Sequence, residues 1–441
     1  MTTATAPRMG LGLGSRLSLM MFLQYAIWGA WLPLLWSFLH DYRGFSSGDI
    51  GWIFMAGGVG AIFGPFIAGQ IADRRFNTEK FLGISHILGG ILVWQLAWID
   101  SYWVFFGFSI LYSLIYSPTL ALTNSLAFHH MPDRDLDFGF VRLWGTVGWI
   151  VVGVGIGQWL LHNYSLPEGT PEKEQVVNYA KGMVDAFKIS AIIGIGMGIY
   201  CFTLPRTPPR KGESSFAIGE AVSECSRMPL RLLFLIAVPV SMIHQFYFVY
   251  TAGFLGKYQE QHESTVEAIN SVFGVGGGGL MTVGQMAEIL VLFLIPFVAA
   301  KWSRKSLLAV GLSAYALRMF LFSQLAWLET TFGVPETVTL LVGIGLHGLC
   351  FGCFIFVAFM VVDEECGGDI KASAQNLFNL VIVGVGVVVG SLVAGYIGDY
   401  ATGTDGAVDY TTLFSIPMWA ALVCLAVLLG FYPRSRRHAG G

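Results

Sequence analysis

The segment Gly69-Gln70-Ile71-Ala72-Asp73-Arg74-Arg75 ends one long apolar stretch, residues 49–71, and leads to another, residues 81–99. Each stretch has about the 20 residues that a helix needs to cross roughly 30 Å of hydrocarbon. The residues between them include one acidic and several basic side chains. The sequence therefore predicts a short charged loop that connects two membrane-spanning helices.

The same pattern of apolar stretches and short polar loops extends along the whole chain. Of its 441 residues 55% are hydrophobic and 12% are charged, whereas a soluble domain carries about 25% charged residues. We predict twelve spans, at residues 17–39, 49–71, 81–99, 103–128, 139–162, 184–204, 231–255, 274–299, 305–327, 337–361, 371–398 and 410–432. The predicted fold class is an all-α integral membrane protein with twelve transmembrane helices.

Basic residues are distributed unequally between the two sets of loops. If both termini are cytoplasmic, the outer loops carry only Arg43, Lys173, Lys181, Lys188 and Lys257, and the other basic loop residues lie inside. This asymmetry agrees with the positive-inside rule, and an odd number of spans would destroy it. We therefore expect a multi-pass protein in the lipid bilayer with both termini in the cytoplasm.

A polar, basic and proline-containing stretch follows the sixth predicted span. It divides the chain into an N-terminal six-helix half at residues 1–204, a cytoplasmic linker at 205–230 and a C-terminal six-helix half at 231–441. Two helical halves with a substrate site near the bilayer midplane are a common layout of secondary transporters. The layout predicts alternating access, in which the halves reorient around a ligand.

The loop quoted first also resembles a motif, the Gly-x-x-x-Asp-Arg/Lys sequence that the major facilitator superfamily carries between its second and third spans. Asp73 can accept hydrogen bonds from helix N-termini or basic groups, and Asp73 with Arg74 would then form a conformational latch. A solvated turn with charges is the alternative interpretation. The matching loop of the second half, residues 299–305, lacks the Asp.

Few ionisable residues lie inside the predicted spans, where each costs at least about 2.5 kcal/mol. Glu288 lies in the middle of the eighth span, and Gln285 is spaced i, i+3 from it, so both share one helix face. Arg142, Thr146 and Trp149 share a face of the fifth span. We also single out three residues of the third and tenth spans: His86, expected to bond a backbone carbonyl, and His347 with Phe351.

These faces predict a substrate site for a compact, polar and partly planar ligand. Glu288 is the leading candidate for proton coupling, because burial raises a carboxyl pKa toward neutrality and a neighbouring Arg lowers it. A permanent structural pair of Glu288 with Arg142 or Arg318 is the alternative. The sequence contains no credible metal-ligand spacing, ATP-binding motif or catalytic set, so we expect no metal, no cofactor and no enzyme activity.

Six separated segments, in the right order, resemble the nucleoside:proton symporter family of the major facilitator superfamily over nearly the whole chain. They are Phe22-Leu23-Gln24-Tyr25-Ala26-Ile27-Trp28-Gly29-Ala30-Trp31-Leu32, residues 116–124, residues 141–148, Gln285-Met286-Ala287-Glu288, Leu317-Arg318 and Lys371-Ala372-Ser373-Ala374-Gln375. The resemblance implies a twelve-helix importer of purine and pyrimidine nucleosides, driven by the proton gradient across a bacterial inner membrane. It places binding residues at Arg142, Thr146, Trp149, Gln245, Gln285, Glu288 and Phe351. Separately, we expect a monomer with no nucleic acid partner.

The chain departs from the family pattern at three positions. His347 and Gly352 stand where the pattern has Tyr and Asp, and Phe248 replaces an Asn. We therefore add His347 to the substrate site and expect Glu288 or His347 to carry the proton. The alternatives are an uncoupled or differently coupled facilitator of sugars or another small polar metabolite, a membrane-embedded enzyme, and a sensor without transport.

Overall fold

The computed structural model describes residues 9–67, 76–167, 169–208, 218–367, 370–404 and 406–433. Within these residues the chain is almost entirely helical, and β pairing is limited to one bridge between Thr402 and Val408. A helix satisfies all its backbone hydrogen bonds internally, which an apolar segment needs in lipid. The predicted all-α fold class is confirmed.

We number the long helices α1 to α12 in chain order. They are α1 Leu11–Trp31, α2 Ser47–Ile67, α3 Thr78–Leu96, α4 Tyr102–His130, α5 Arg134–Tyr164, α6 Val184–Cys201, α7 Leu230–Gln261, α8 Gly278–Ala299, α9 Arg304–Ser323, α10 Glu336–Glu365, α11 Lys371–Asn379 continued by Gly386–Ala401, and α12 Tyr410–Phe431. Shorter helices span Glu172–Gly182, Ile218–Cys225, Glu263–Phe273 and Leu325–Phe332. π-helical turns at Phe38–Tyr42, Cys350–Phe356 and Leu380–Val385 interrupt the regular α-helical hydrogen bonding.

Ten of the described helices are long and apolar enough to cross a membrane. The two that fall outside this set are α2 and α3, at the positions of the predicted spans 49–71 and 81–99. The count of twelve spans is consistent with the structure and stays a prediction. The proposed latch residues Asp73 and Arg74 lie between these two helices, outside the described residues.

The chain forms two compact units. One comprises Met1–Glu213 and Tyr250–Thr282, and the other comprises Ser214–Val249 and Val283–Gly441. The predicted boundaries at 1–204, 205–230 and 231–441 therefore stay a prediction, and the segment Tyr250–Thr282 groups with the first unit although it follows the predicted linker. We describe each unit separately.

In the first unit, α1 packs along α5, α3 along α6 and α2 along α4. Trp31 contacts the rings of Tyr112 and Phe187 inside this unit. His86 is buried on α3, and its Nε2 lies 2.9 Å from Oε1 of Gln24. The expected backbone carbonyl partner for His86 is wrong, because α1 supplies a side-chain amide at that point.

In the second unit, α9 packs against α10 and α12. Ser303 caps α9, since its hydroxyl accepts a hydrogen bond from the backbone N–H of Ser306. The next residue, Arg304, makes a forked pair with Glu364 at the end of α10, with Nε–Oε2 at 3.0 Å and Nη2–Oε1 at 2.6 Å. This contact ties the first turn of α9 to the last turn of α10.

Candidate substrate and proton site

In the first unit, the predicted residues of α5 meet aromatic residues of α1. Arg142 holds its guanidinium carbon 4.1 Å from the centre of the Tyr25 ring. Trp149 meets Trp28 edge to face, with ring centres 6.3 Å apart. Because α5 is helical from Arg134 to Tyr164, Arg142, Thr146 and Trp149 share one face, which combines a cation, a hydroxyl and a flat apolar surface.

In the second unit, two predicted amide side chains are buried. Gln245 on α7 is 8% exposed, and its Oε1 lies 3.4 Å from the Ser391 hydroxyl. Gln285 on α8 is 6% exposed, and its Oε1 has no hydrogen-bond partner among the described residues. A buried amide oxygen without a partner costs about 1–3 kcal/mol, so Gln285 is suited to accept a hydrogen bond from a bound ligand.

The predicted proton-coupling residues Glu288 and His347 lie together. Oε2 of Glu288 is 3.6 Å from Nε2 of His347, and the Glu288 side chain is 17% exposed while His347 is 2% exposed. The close approach of α8 and α10 depends on Gly348, where a Cβ would lie 2.4 Å from the carbonyl oxygen of Ala287. The structure thus brings the acid and the imidazole into electrostatic contact, slightly beyond hydrogen-bond distance.

Arg318 on α9 contacts the opposite edge of the same imidazole. Its Nη1 lies 3.1 Å from Nδ1 of His347, and the side chain is fully buried. The guanidinium carbon lies 4.2 Å from the centre of the Tyr247 ring and 5.2 Å from that of Tyr315. Nε and Nη2 of Arg318 have no hydrogen-bond partner among the described residues. Arg318 thus holds the His347 imidazole, and the alternative of a permanent pair between Glu288 and Arg142 or Arg318 stays a prediction.

Aromatic rings enclose the His347 imidazole. The Tyr247 ring stacks on it at 4.6 Å and 18°, and the His244 ring stacks on it at 5.6 Å and 23°. Nδ1 of His244 lies 2.8 Å from the Tyr315 hydroxyl. Sequence reasoning missed Tyr247 and Tyr315, because an aromatic residue in an apolar span carries no signal that separates a site residue from an ordinary packing residue.

The structure also shows the surroundings of Phe248 and Gly352, two positions that depart from the family pattern. Phe248 contacts the His244 ring, with centres 5.0 Å apart. Phe351 and Gly352 lie in the π-helical turn Cys350–Phe356, and Gly352 is buried, so that a Cβ there would lie 2.6 Å from Cγ1 of Val291. The structure therefore has no room for a carboxylate at position 352 unless Val291 moves.

The helices and the buried polar groups within them define this chain as a polytopic membrane transporter. Among the described residues no group of three or more His, Cys, Asp or Glu side chains could hold a metal ion. A family model described as "Nucleoside H+ symporter" matches residues 11–437. The protein belongs to the nucleoside:proton symporter family, as the six sequence segments predicted.

Relatives in Escherichia coli match over nearly their full length. The chain is 30% identical to the putative nucleoside transporter YegT over 427 residues, covering 94% of this chain and 91% of the relative. It is 28% identical to xanthosine permease, covering 96% of each protein. These two relatives carry the resemblance across both halves of the sequence.

Solved structures support the fold. The nucleoside transporter NupG superposes with a TM-score of 0.80 at 22% identity, covering 96% of this chain and 100% of that one. A D-xylose–proton symporter superposes with a TM-score of 0.63 at 13% identity, covering 95% of this chain and 98% of that one. The chain has the major facilitator fold that its sequence predicted.

Proposed function

We propose that this protein imports purine and pyrimidine nucleosides by proton symport through alternating access. The observation that carries the proposal is the placement of Glu288, a carboxyl group within an apolar helix and 3.6 Å from the His347 imidazole. Ionisable groups at such positions are costly and are usually functional in membrane proteins. Membership of the nucleoside:proton symporter family agrees with this assignment.

We assign nucleoside contacts in each unit separately, with Arg142, Thr146 and Trp149 in the first unit and Gln245, Gln285 and Phe351 in the second. Gln245, Gln285 and Thr146 can hydrogen-bond ribose hydroxyls or the edges of the base. Trp149 and Phe351 can stack on the base, and Arg142 can donate to a carbonyl oxygen while its position is fixed by Tyr25. Each unit thus offers hydrogen-bonding groups suited to the sugar and a flat surface suited to the base.

We assign the coupled proton to Glu288 and His347 of the second unit, first of all to Glu288. Its side chain is 17% exposed, whereas that of His347 is 2% exposed. Protonation removes the charge of the Glu288 carboxylate and with it the attraction to His347. Proton binding therefore changes the contacts within this unit, which is what coupling to a conformational change requires.

The setting of the protein follows from its sequence. We propose a bacterial inner membrane with both termini in the cytoplasm, because the basic loop residues concentrate on one side. We propose a monomer that binds a nucleoside and a proton, does not bind nucleic acid and catalyses no chemical reaction. We also propose that Asp73 and Arg74 latch one conformation of the transport cycle.

The first experiment is uptake of labelled uridine and adenosine into proteoliposomes that contain the purified protein. We expect accumulation when an inward proton gradient is applied and loss of accumulation when a protonophore is added. Counterflow without accumulation would favour the uncoupled facilitator instead. Absence of uptake by folded protein would reject nucleosides as the substrate, and labelled sugars would then be tested.

Substitution of Glu288 tests the proton assignment. We expect Glu288→Gln to abolish proton-driven accumulation while exchange of nucleoside across the membrane persists, because the amide keeps the shape of the site but cannot ionise. Glu329→Gln is the matched control, since Glu329 is exposed on the short helix Leu325–Phe332. Retention of full accumulation and pH dependence by Glu288→Gln would reject the role of this carboxyl group.

A further inference from the structure

We propose that Arg318 is a positioning residue that holds His347 in one neutral tautomer, so that the coupled proton resides on Glu288 and not on His347. This inference rests on the proposed proton symport and names the group that carries the proton. It also assigns His347 a different role, that of a fixed hydrogen-bond donor directed at Glu288. The contacts of the three side chains support it in turn.

Arg318 is the donor in its hydrogen bond with His347. Nη1 of Arg318 lies 3.1 Å from Nδ1 of His347. A guanidinium has N–H donors and no acceptor, and it stays protonated in proteins. Nδ1 must therefore present a lone pair, and the hydrogen of the neutral imidazole is on Nε2. This Nε2–H faces Oε2 of Glu288, 3.6 Å away.

Packing holds the side chains of Arg318 and His347 in this arrangement. Arg318 is fully buried against the rings of Tyr247 and Tyr315. The Tyr247 ring also stacks on His347, and a Cβ at Gly284 would lie 3.0 Å from Cβ of His347. Rotation of the imidazole would break these contacts, so His347 cannot exchange its two nitrogen atoms without a change in packing.

The positive charge of Arg318 opposes protonation of His347 at Nδ1. Addition of a proton to Nδ1 would replace the lone pair by an N–H group that points at the Arg318 cation across 3.1 Å. Two like charges at that distance in a buried site repel each other strongly. The Glu288 carboxylate, 3.6 Å from Nε2, would attract an imidazolium, but Arg318 lies closer, at 3.1 Å from Nδ1, and also loses its hydrogen-bond acceptor when Nδ1 is protonated. Arg318 therefore disfavours the imidazolium form of His347 and leaves Glu288 as the proton acceptor.

The other titratable groups around His347 do not change this conclusion. Those that face it or its partners are Glu288, His244, Tyr247, Tyr315, Cys350 and Arg318. Tyrosine and cysteine carry no charge near neutral pH, and arginine keeps its charge. His244 is the remaining candidate, and protonating it would add a second cation beside Arg318 in the same buried cluster.

The fixed tautomer of His347 links protonation of Glu288 to binding of the nucleoside. The Nε2–H group of His347 faces either a carboxylate, which attracts it, or a protonated Glu288, which attracts it far less. Proton binding thus frees this donor for a nucleoside oxygen. Arg318 confines the change of protonation to Glu288, because it keeps His347 from taking the proton itself.

Nitrogen-15 NMR of histidine-labelled protein in lipid bilayers tests the inference without any substrate. The signals lost in His347→Gln identify His347. We expect them to report the neutral tautomer with hydrogen on Nε2 from about pH 5 to about pH 8, although a free imidazole titrates near 6.5. An imidazolium signal, or a hydrogen on Nδ1, in the wild-type protein would overturn the inference whether or not the protein transports nucleosides.

The Arg318→Met variant then tests the cause. We expect an imidazolium signal of His347 to appear below about pH 6.5 in this variant, because the fixed donor is gone. If His347 stays neutral in folded Arg318→Met, packing and not Arg318 sets its state, and the positioning role is wrong. If this variant does not fold, the wild-type spectrum still decides the tautomer.

Uptake measurements connect the tautomer to coupling. The amide of Gln can accept from Arg318 with its oxygen and donate to Glu288 with its nitrogen, so His347→Gln mimics the neutral tautomer but cannot carry a proton. We expect a slower uptake of uridine with the same ratio of accumulation with and without the proton gradient. Loss of this ratio, with counterflow retained, would assign the proton to His347. Absence of uridine uptake by the wild-type protein would instead reject the proposed function and leave the NMR result standing.

Discussion

We expect Gly348→Ala, which adds one methyl group, to weaken proton-driven transport. A Cβ at position 348 would lie 2.4 Å from the carbonyl oxygen of Ala287, which belongs to the backbone next to Glu288. To restore van der Waals distance, α8 and α10 must separate by about 1 Å. Overpacking of this kind costs roughly 1–3 kcal/mol of stability. Because Glu288 and His347 are already 3.6 Å apart, the same separation weakens their contact directly.

A displacement of about 1 Å at a reacting centre can reduce the rate about 100-fold, so we expect proton-driven uridine uptake to fall by between about ten- and 100-fold in Gly348→Ala. The matched control is Gly345→Ala on the same helix, where a Cβ would meet nothing within 4 Å. This control should keep wild-type uptake and gain about 0.5–1 kcal/mol of helix stability. Equal uptake by the two variants would refute the argument that close packing of α8 and α10 sets the coupling geometry.

Two further predictions concern other parts of the chain. Tyr25→Leu should raise the KM for uridine roughly two- to 30-fold, because Arg142 loses a ring contact of about 0.5–2 kcal/mol. Tyr25→Phe should leave the KM unchanged, and equal KM values for both variants would contradict a role of the ring contact. Burial, with the Cys366 thiol beside it, raises the pKa of Cys225 to about 11. The thiolate is the form that reacts with N-ethylmaleimide. The rate of Cys225 labelling, measured by mass spectrometry, should therefore increase about tenfold for each pH unit above 7. A labelling rate independent of pH would contradict the raised pKa.

The positions of the helices could be predicted from the sequence because hydrocarbon thickness sets their length. The span predicted at 337–361 corresponds to α10, Glu336–Glu365, and the span at 17–39 lies within the helical segment Leu11–Tyr42. These two helical segments extend beyond the predicted spans by several residues, whereas α8 begins after its predicted start at 274 and α9 ends before its predicted end at 327. Apolar composition marks the part inside lipid, whereas the ends of a helix depend on capping and on contacts outside the lipid.

The composition of the candidate site was predictable to the level of single helix faces. Gln285 with Glu288, and Arg142 with Thr146, follow from the α-helical repeat within one span. The contact between Arg318 and His347 was not predictable, since it joins α9 to α10 and depends on how those helices cross. The register of Phe351 and Gly352 also depends on the π-helical turn Cys350–Phe356, which no pattern in that apolar run indicates.

Two departures from the family pattern, His347 and Gly352, have a common explanation in this geometry. A buried Arg318 needs an acceptor, and Nδ1 of His347 supplies one at 3.1 Å without adding a charge. Gly352 lies where a Cβ would meet Cγ1 of Val291 at 2.6 Å, so a carboxylate there would require Val291 to move. The packing of α8 on α10 also brings Glu288 to His347. With the imidazole between one cation and one acid, a second acid is not needed for charge balance in this cluster, which agrees with the proposal that Glu288 accepts the proton.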